Sequence, residues 1–186
     1  MQEIDVENTF RLIEPGPILL VATRGSDGPN VMTMGFHMMV QHAPPLIGCV
    51  IGPWDHSYRA LRETHECVLS VPRASMSAVV TDIGNTSGAD TDKFETFGIA
   101  TMPGATVDAP ILTDCIANLE CRLVDQTLSD RYCFHILEVE HLWTAPDWRE
   151  APMLHHIGDG RFRKDGDLID ESRRMTRWQY LAGLGG

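Results

Sequence analysis

The chain is poor in positive charge: 15 Lys and Arg stand against 26 Asp and Glu in 186 residues, a formal net charge of −11. A nucleic acid or an anionic membrane needs a basic surface to offset phosphate repulsion, so neither is expected as the main partner. One small anionic ligand stays compatible, because the geometry of a single site overrides net charge. No run is long and apolar enough to span a bilayer. The opening stretch MQEIDVENTF is acidic and lacks the apolar core of a secretory signal. The five cysteines, Cys49, Cys67, Cys115, Cys121 and Cys133, are odd in number and irregular in spacing, and no C-x-x-C occurs. Without a secretory signal this pattern predicts reduced, buried thiols in a cytoplasmic protein. It disfavours structural zinc, which pairs its ligands closely, and no metal site is expected. G-x-G-x-x-G is absent, and Gly158-Asp-Gly160 is too short to replace it, so no Rossmann site is expected. Internal repeats, low-complexity tracts and heptads are missing too.

What is present is an ordinary globular composition, with 43% apolar residues. The length fits a single domain over residues 1–186, with a core over 15–166 and a C-terminal extension over 167–186. Residues 1–15 read as a polar lead-in. Residues 17–35 read as a β-hairpin, because Gly25-Ser-Asp-Gly28 is a turn signal between two β-forming runs. Pro44-Pro45 must be a turn. Residues 46–51 form a continuous apolar run, expected as a strand covered on both faces. Asp55 or Ser57 is a candidate cap for a helix through about residue 63. A strand over 67–71 follows, stopped by Pro72. A helix over 74–83 comes next, with Ser75 as a possible cap.

Residues 84–90 are small and polar, hence a loop. A short helix is expected within 90–97, and residues 98–112 look like a loop. Alternation predicts two long strands over 116–124 and 132–143, joined through 125–131 as a hairpin. After Pro146 the chain is irregular, with a strand-like Arg161-Phe-Arg163. Six or seven strands, mostly in hairpins and with only short helices, indicate a mostly β protein: an antiparallel β-barrel of Greek-key type. A doubly wound sheet would need a helix after every strand.

Residues 30–58, NVMTMGFHMMVQHAPPLIGCVIGPWDHSY, organise the rest. Their order is strand, irregular turn, strand, helix start. That order sets free backbone N–H groups beside two strand ends, an arrangement suited to a flat polar ring attached to a phosphate.

Several pieces of the chain together resemble a known family. EPGPILLVAT, NVMTMGFHMM, PPLIGCVI, HSYRALRETHECVLSVP, GNTSGADTDKFETFGI, ANLECRLVD with FHILEVEHLW, and LHHIGDGRF are similar, in that order, to elements of the flavin reductase-like proteins, flavoredoxins included. The resemblance spans roughly residues 15–166 and implies an FMN-binding split barrel. It implies FMN as cofactor, NADH or NADPH as electron donor, and a homodimer with FMN at its interface. A small-molecule electron acceptor or a monooxygenase partner would follow. Carried over residue by residue, Thr33, Met34, Gly35, Phe36 and His37 would face the isoalloxazine edge, and Asn30 and Met32 would also belong to the cofactor site. His56 and Ser57 would lie near the phosphate. Asn85, Thr86, Ser87, Gly88 and Lys93 would close over the phosphate and ribityl chain, and His156 would approach the flavin or the dimer interface. Some relatives carry a basic residue where this chain has Ala89, which leaves more of the charge neutralisation to Lys93.

Each assignment has a plainer counterpart in the residues themselves. A helix N-terminus attracts a phosphate, yet by residue type alone Ser57 is more often an ordinary N-cap and Lys93 a solvated surface lysine, and only the matched motifs beside them favour the phosphate. Met32, Met34, Met38 and Met39 suit contact with a ring, although methionines at such spacing more often fill a core. His37 is a candidate for hydrogen bonding to flavin or second substrate, or a structural histidine. His155 and His156, adjacent on a strand, point to opposite faces and do not form a metal pair. No nucleophile–base pair is visible. Chemistry carried by a cofactor requires none, so no side chain is assigned as catalytic. Two alternatives keep the fold: an electron carrier without its own nicotinamide site, and a non-catalytic flavin- or haem-binding barrel with His37, His155 or His156 as axial ligand.

Overall fold

A computed structural model describes residues 16–174. Eleven strands and four short helices are assigned among them. The strands are β1 (Leu19–Gly25), β2 (Gly28–Met34), β3 (His37–Gln41), β4 (Leu46–Val50), β5 (Glu66–Val71), β6 (Thr101–Met102), β7 (Ile111–Leu112), β8 (Ala117–Asp125), β9 (Phe134–Thr144), β10 (Leu154–His156) and β11 (Phe162–Lys164). The helices are α1 (Ser57–Thr64), α2 (Ser77–Asn85), α3 (Lys93–Thr96) and α4 (Ser129–Tyr132).

Seven strands make one antiparallel sheet in the order β2-β1-β5-β8-β9-β4-β3. Its two outermost strands, β2 and β3, are consecutive in the chain and separated only by Gly35 and Phe36. Three Cα–Cα steps of about 3.8 Å each cannot cross a flat seven-stranded sheet. The sheet must therefore curl until its edges approach, which is the open-sided barrel expected. Alternation along β1 sorts the core into layers. Leu19 and Val21 join Cys49, Leu69 and Leu137 inside the barrel. Ile18 and Leu20 face the opposite way, onto Val80 and Ile83 of α2, and Ala22 meets Val68, Val107 and Ile111.

Local details correct several sequence expectations. Residues 74–76 form a 3-10 turn and α2 begins at Ser77, with Met76 at its cap position and no side-chain cap, so Ser75 does not cap. Asp92 caps the single turn of α3 by accepting from the amides of Phe94 at 2.9 Å and Glu95 at 3.1 Å. Residues 98–112 hold the small ribbon β6–β7 rather than only loop. The connection between β8 and β9 includes α4, so Tyr132 is helical and not the start of a strand. Cys133, at φ 54°, ends that turn in the left-handed region.

The last ribbon, β10–β11, returns to the beginning of β1. The Ile18 amide donates to Leu154 O at 2.7 Å, and Pro17 pairs with His155. Cys49, Cys67, Cys115 and Cys121 are buried free thiols, and Cys133 is half-buried and free. No helix among the described residues is long and apolar enough to cross a membrane. The lead-in over 1–15 and the end of the C-terminal extension lie outside the described residues.

Candidate functional site

Two adjoining hollows open where α1 starts. The larger, about 220 Å3, is lined by Asn30, Met32 and Thr33 of β2, by Trp54, Asp55 and His56 ahead of α1, by Ile83 to Gly88, and by Lys93. The smaller, about 170 Å3, lies between the β1–β2 turn and the outer side of α1. Asn30 and His56 line both and so form the wall between them.

That wall rests on a buried polar network. Ser57 is fully buried, and its Oγ accepts from Asn30 Nδ2 at 2.8 Å and from Thr23 Oγ1 at 3.1 Å. The serine ties the first residue of α1 to β1 and β2 together. It is not the helix cap expected from its position: His56 holds the cap position, and no side chain caps the helix. Asp55 does not cap either, since its Oδ2 accepts from the Gly52 amide at 2.9 Å and closes the preceding turn. The Tyr58 amide donates instead to Asp55 O at 3.0 Å, so a backbone turn rather than a side chain closes the start of α1.

The loop after α2 forms the opposite side. Ser87 folds it back, its Oγ accepting from Ala89 N at 3.2 Å and its carbonyl from Asp90 N at 3.3 Å. Gly88 then presses directly on the wall. A Cβ there would collide with Asn30 Oδ1 and stand 2.8 Å from His56 Cδ2. Only glycine lets the backbone approach this closely.

Lys93 is 4% exposed, so it is not the surface lysine that its residue type would suggest. Its Nζ donates to Val31 O at 2.9 Å and Ile83 O at 3.0 Å. Val31 belongs to β2, whose only strand partner among the described residues is β1; the ammonium supplies a donor on the side away from β1. Ile83 lies in the last turn of α2, where a cation is favoured. Burial pushes the amine's pKa down, and the Asp55 carboxylate opposes that shift. Of the three donors of an ammonium, two are committed and one remains for the hollow.

The structure thus brings Asn30, Met32, Thr33, His56, Asn85, Thr86, Ser87, Gly88 and Lys93 to one hollow. Thr33 is fixed there by donating its Oγ1 hydrogen to Val80 O at 2.7 Å. Ser57 stands behind the wall. Met34 fills the barrel core. Gly35 and Phe36 form the β2–β3 junction, with Phe36 exposed. His37 Nε2 donates to Pro17 O at 2.7 Å, and burial lowers the ring's pKa more than this bond raises it. A neutral ring with that tautomer keeps Nδ1 as an acceptor.

His155 and His156 do point apart, as alternation requires. The first meets Asp165 Oδ1 at 2.6 Å, and the second packs on Phe162 with ring centres 5.2 Å apart. Neither lines the larger hollow. Because Pro17 pairs with His155 and accepts from His37, this ribbon adjoins the β2–β3 junction. No cluster of metal-ligating side chains occurs among the described residues.

Sequence reasoning missed four lining residues, Asp55, Ile83, Gly84 and Trp54, the last the most informative. Its indole covers Gly52, where a Cβ would strike the ring. The available signal was Gly52-Pro53-Trp54 itself: a large aromatic placed just past a strand end, with a glycine making room.

Comparison with known proteins places this geometry in context. A family model for the flavin reductase like domain matches residues 11–164. An uncharacterized protein of Archaeoglobus fulgidus is 28% identical over 138 residues, which is 74% of this chain and 77% of that one. The flavoredoxin of Desulfovibrio vulgaris (Miyazaki F) superposes with a TM-score of 0.79 at 22% identity, over 88% of this chain and 92% of that chain. An FMN-binding domain of a flavin reductase-like enzyme from Shewanella baltica gives a TM-score of 0.77 at 23% identity, over 90% of this chain and 95% of the other. At such identities the structural likeness speaks to the fold.

Proposed function

Since the chain belongs to the family of flavin reductase like domains, we propose that it is an FMN-binding oxidoreductase that takes hydride from NADH or NADPH and passes electrons to an acceptor. The observation that carries this reading is the larger hollow, where an uncapped helix start, a glycine-pressed loop and one buried cation converge.

These residues fit FMN. The phosphate needs several donors and little bulk, and the positive end of α1, the Ser87-Gly88 backbone, His56 and the remaining Lys93 N–H provide them. The polar ring edge needs backbone donors and acceptors at an unpaired strand edge. β2 offers that edge beyond Thr33, with Met32 and Trp54 as apolar contacts. When bound, FMN supplies hydride acceptance and onward electron transfer. The chain's own residues do the holding. Ser57 and Asn30 fix the helix start, Lys93 locks β2 to α2, and Gly88 sets the loop against the wall. His37, held neutral, offers Nδ1 to a donor group near the β2–β3 junction.

A homodimer belongs to the same reading. Among the described residues β3 is an edge strand, with Met38, Met39 and Val40 exposed along it and Phe36 exposed just before it. A bare edge with apolar side chains on both faces is a site of association, and a second copy covering it would stand beside the β2–β3 junction. The buried free thiols support a reducing, cytoplasmic setting.

The test is an anaerobic absorbance spectrum of the protein with FMN, before and after NADH and then NADPH. Bleaching of the flavin bands by either nucleotide supports the reductase and names its donor. A bound flavin bleached only by dithionite moves the assignment to an electron carrier. Absence of flavin binding refutes the central reading.

A further inference from the structure

The turn over residues 52–56 carries Trp54, Asp55 and His56 to the larger hollow, so whatever fixes the turn places these lining residues. Inside, the turn closes on itself: the Gly52 amide donates to Asp55 Oδ2 at 2.9 Å, and the Asp55 amide to Gly52 O at 2.8 Å. At its far end Ser57 is tied to β1 and β2. At its near end the β4–β9 ladder runs out. The last pair is Val50 with Phe134, and Cys133, the next residue on the β9 side, is left-handed. Cys133 O still accepts from the Ile51 amide at 3.0 Å, but the Cys133 amide is taken by Ser129 O at 2.8 Å, where α4 ends. A continued antiparallel pair would have returned that amide to Ile51 O. A side chain replaces it: His135 Nε2 donates to Ile51 O at 2.9 Å.

A carbonyl only accepts, so Nε2 carries the hydrogen. Nδ1 is then the acceptor of a neutral ring, and the Ser129 hydroxyl donates to it at 2.8 Å rather than to Phe134 O at 3.2 Å. Burial lowers the ring's pKa more than the bond to Ile51 O raises it, and the Arg62 charge adds to the lowering, so the ring is neutral at neutral pH. His135 and Ser129 are both buried, and neither lines either hollow. Both ring nitrogens are spent inside the protein, one on Ile51 and one on the start of α4. We infer that His135 is a positioning residue for the FMN site: its Nε2–H, held in that tautomer by Ser129, fixes Ile51 and with it where the 52–56 turn sets Trp54 and His56. The inference rests on the flavin reading of the larger hollow.

Two amide side chains separate this role from simple packing. Glutamine sets an N–H donor as many bonds beyond Cβ as Nε2 is, and asparagine only as far as Nδ1. His135→Gln can therefore keep the bond to Ile51 O, and His135→Asn cannot. Flavin-fluorescence titration is expected to give His135→Gln an FMN affinity within about twofold of wild type and His135→Asn one about tenfold weaker, the share of one lost bond. In amide correlation spectra of the flavin-free proteins, the Gly52 amide and Trp54 indole signals are expected to move further in His135→Asn than in His135→Gln, since both lose the ring and only the first loses the bond. Equal FMN affinities in the two variants overturn the proposal, as do equal signal shifts. If FMN fails to bind the wild type, the flavin reading falls, and the same spectra still judge whether His135 sets the turn. If neither amide variant folds, Ser129→Ala leaves the imidazole in place and removes only the hydroxyl that holds its tautomer. Moved Gly52 and Trp54 signals with weaker FMN binding then uphold the proposal, and unmoved signals or full affinity overturn it.

Discussion

Replacing Lys93 with methionine keeps the unbranched stem and removes only the ammonium. Two bonds from the charged Nζ to Val31 O and Ile83 O disappear, and both carbonyls lose that donor in a nearly closed environment. Hydrogen bonds to a charged group contribute about 1.5–3 kcal/mol each. Against this stands the cost of burying the ammonium, which methionine does not incur. The net loss expected is roughly 2–4 kcal/mol. In a protein of this size that corresponds to a fall in Tm of roughly 5–12 °C. FMN affinity should drop as well, by about tenfold, the share of one directed donor. The manner of the loss distinguishes a buried cation from a surface one. Salt screens exposed charges and leaves buried pairs nearly untouched, so the ratio of wild-type to variant affinity should hold from low to high salt. Scanning calorimetry and flavin-fluorescence titration measure both quantities. An unchanged Tm would show that the two carbonyl bonds carry no weight. An affinity loss that vanishes in high salt would place the amine in solvent and refute the buried arrangement.

Further expectations concern the glycine loop, a buried carboxylate and the bare edge. Gly88→Ala should lower FMN affinity at least about tenfold with Tm nearly unchanged, because the new Cβ pushes the exposed loop off Asn30 and His56 rather than entering the core; full affinity in a titration would contradict the close approach. Burial alone would push the Glu120 carboxyl up, but the amides of Ala105 and Thr106, the Trp143 indole N–H and the Thr106 hydroxyl outweigh it and hold it at about 2. A folded-state pKa depressed in this way gives stability that is fully present above the ordinary carboxylate value and lost as pH falls from there toward 2. Glu120→Gln should therefore be less stable at neutral pH and lose less between pH 5 and pH 3 than the wild type. Urea midpoints at each pH measure this, and parallel losses would show that these four bonds do not bind the charge. Met38→Glu should shift sedimentation toward the monomer and release FMN on dilution, and a variant that stays dimeric would remove β3 from the interface.

How much of this was legible in the sequence follows from the range of each interaction. β1 was readable because alternation is local: Leu19 and Val21 face one way, Ile18 and Leu20 the other. The barrel was readable from hairpins and from the lack of helices between strands. Helix starts were misread at Ser57 and Ser75, because residue type marks a cap while long-range packing decides it. Ser57 is drawn inward by Thr23 and Asn30, 34 and 27 residues away, and so cannot turn its oxygen to its own helix. Tyr132 alternates with Phe134 and Ile136, yet the left-handed Cys133 separates it from their strand. Lys93 shows the limit most clearly. Its place in the larger hollow followed from the motif around it, but its burial depends on a carbonyl of β2, 62 residues earlier, that has no further strand beside it among the described residues. The open edge of the barrel creates that acceptor, and it is also what leaves room for a planar ligand. The same gap thus explains both a buried lysine and a site next to it, and neither can be inferred from the lysine's immediate neighbours.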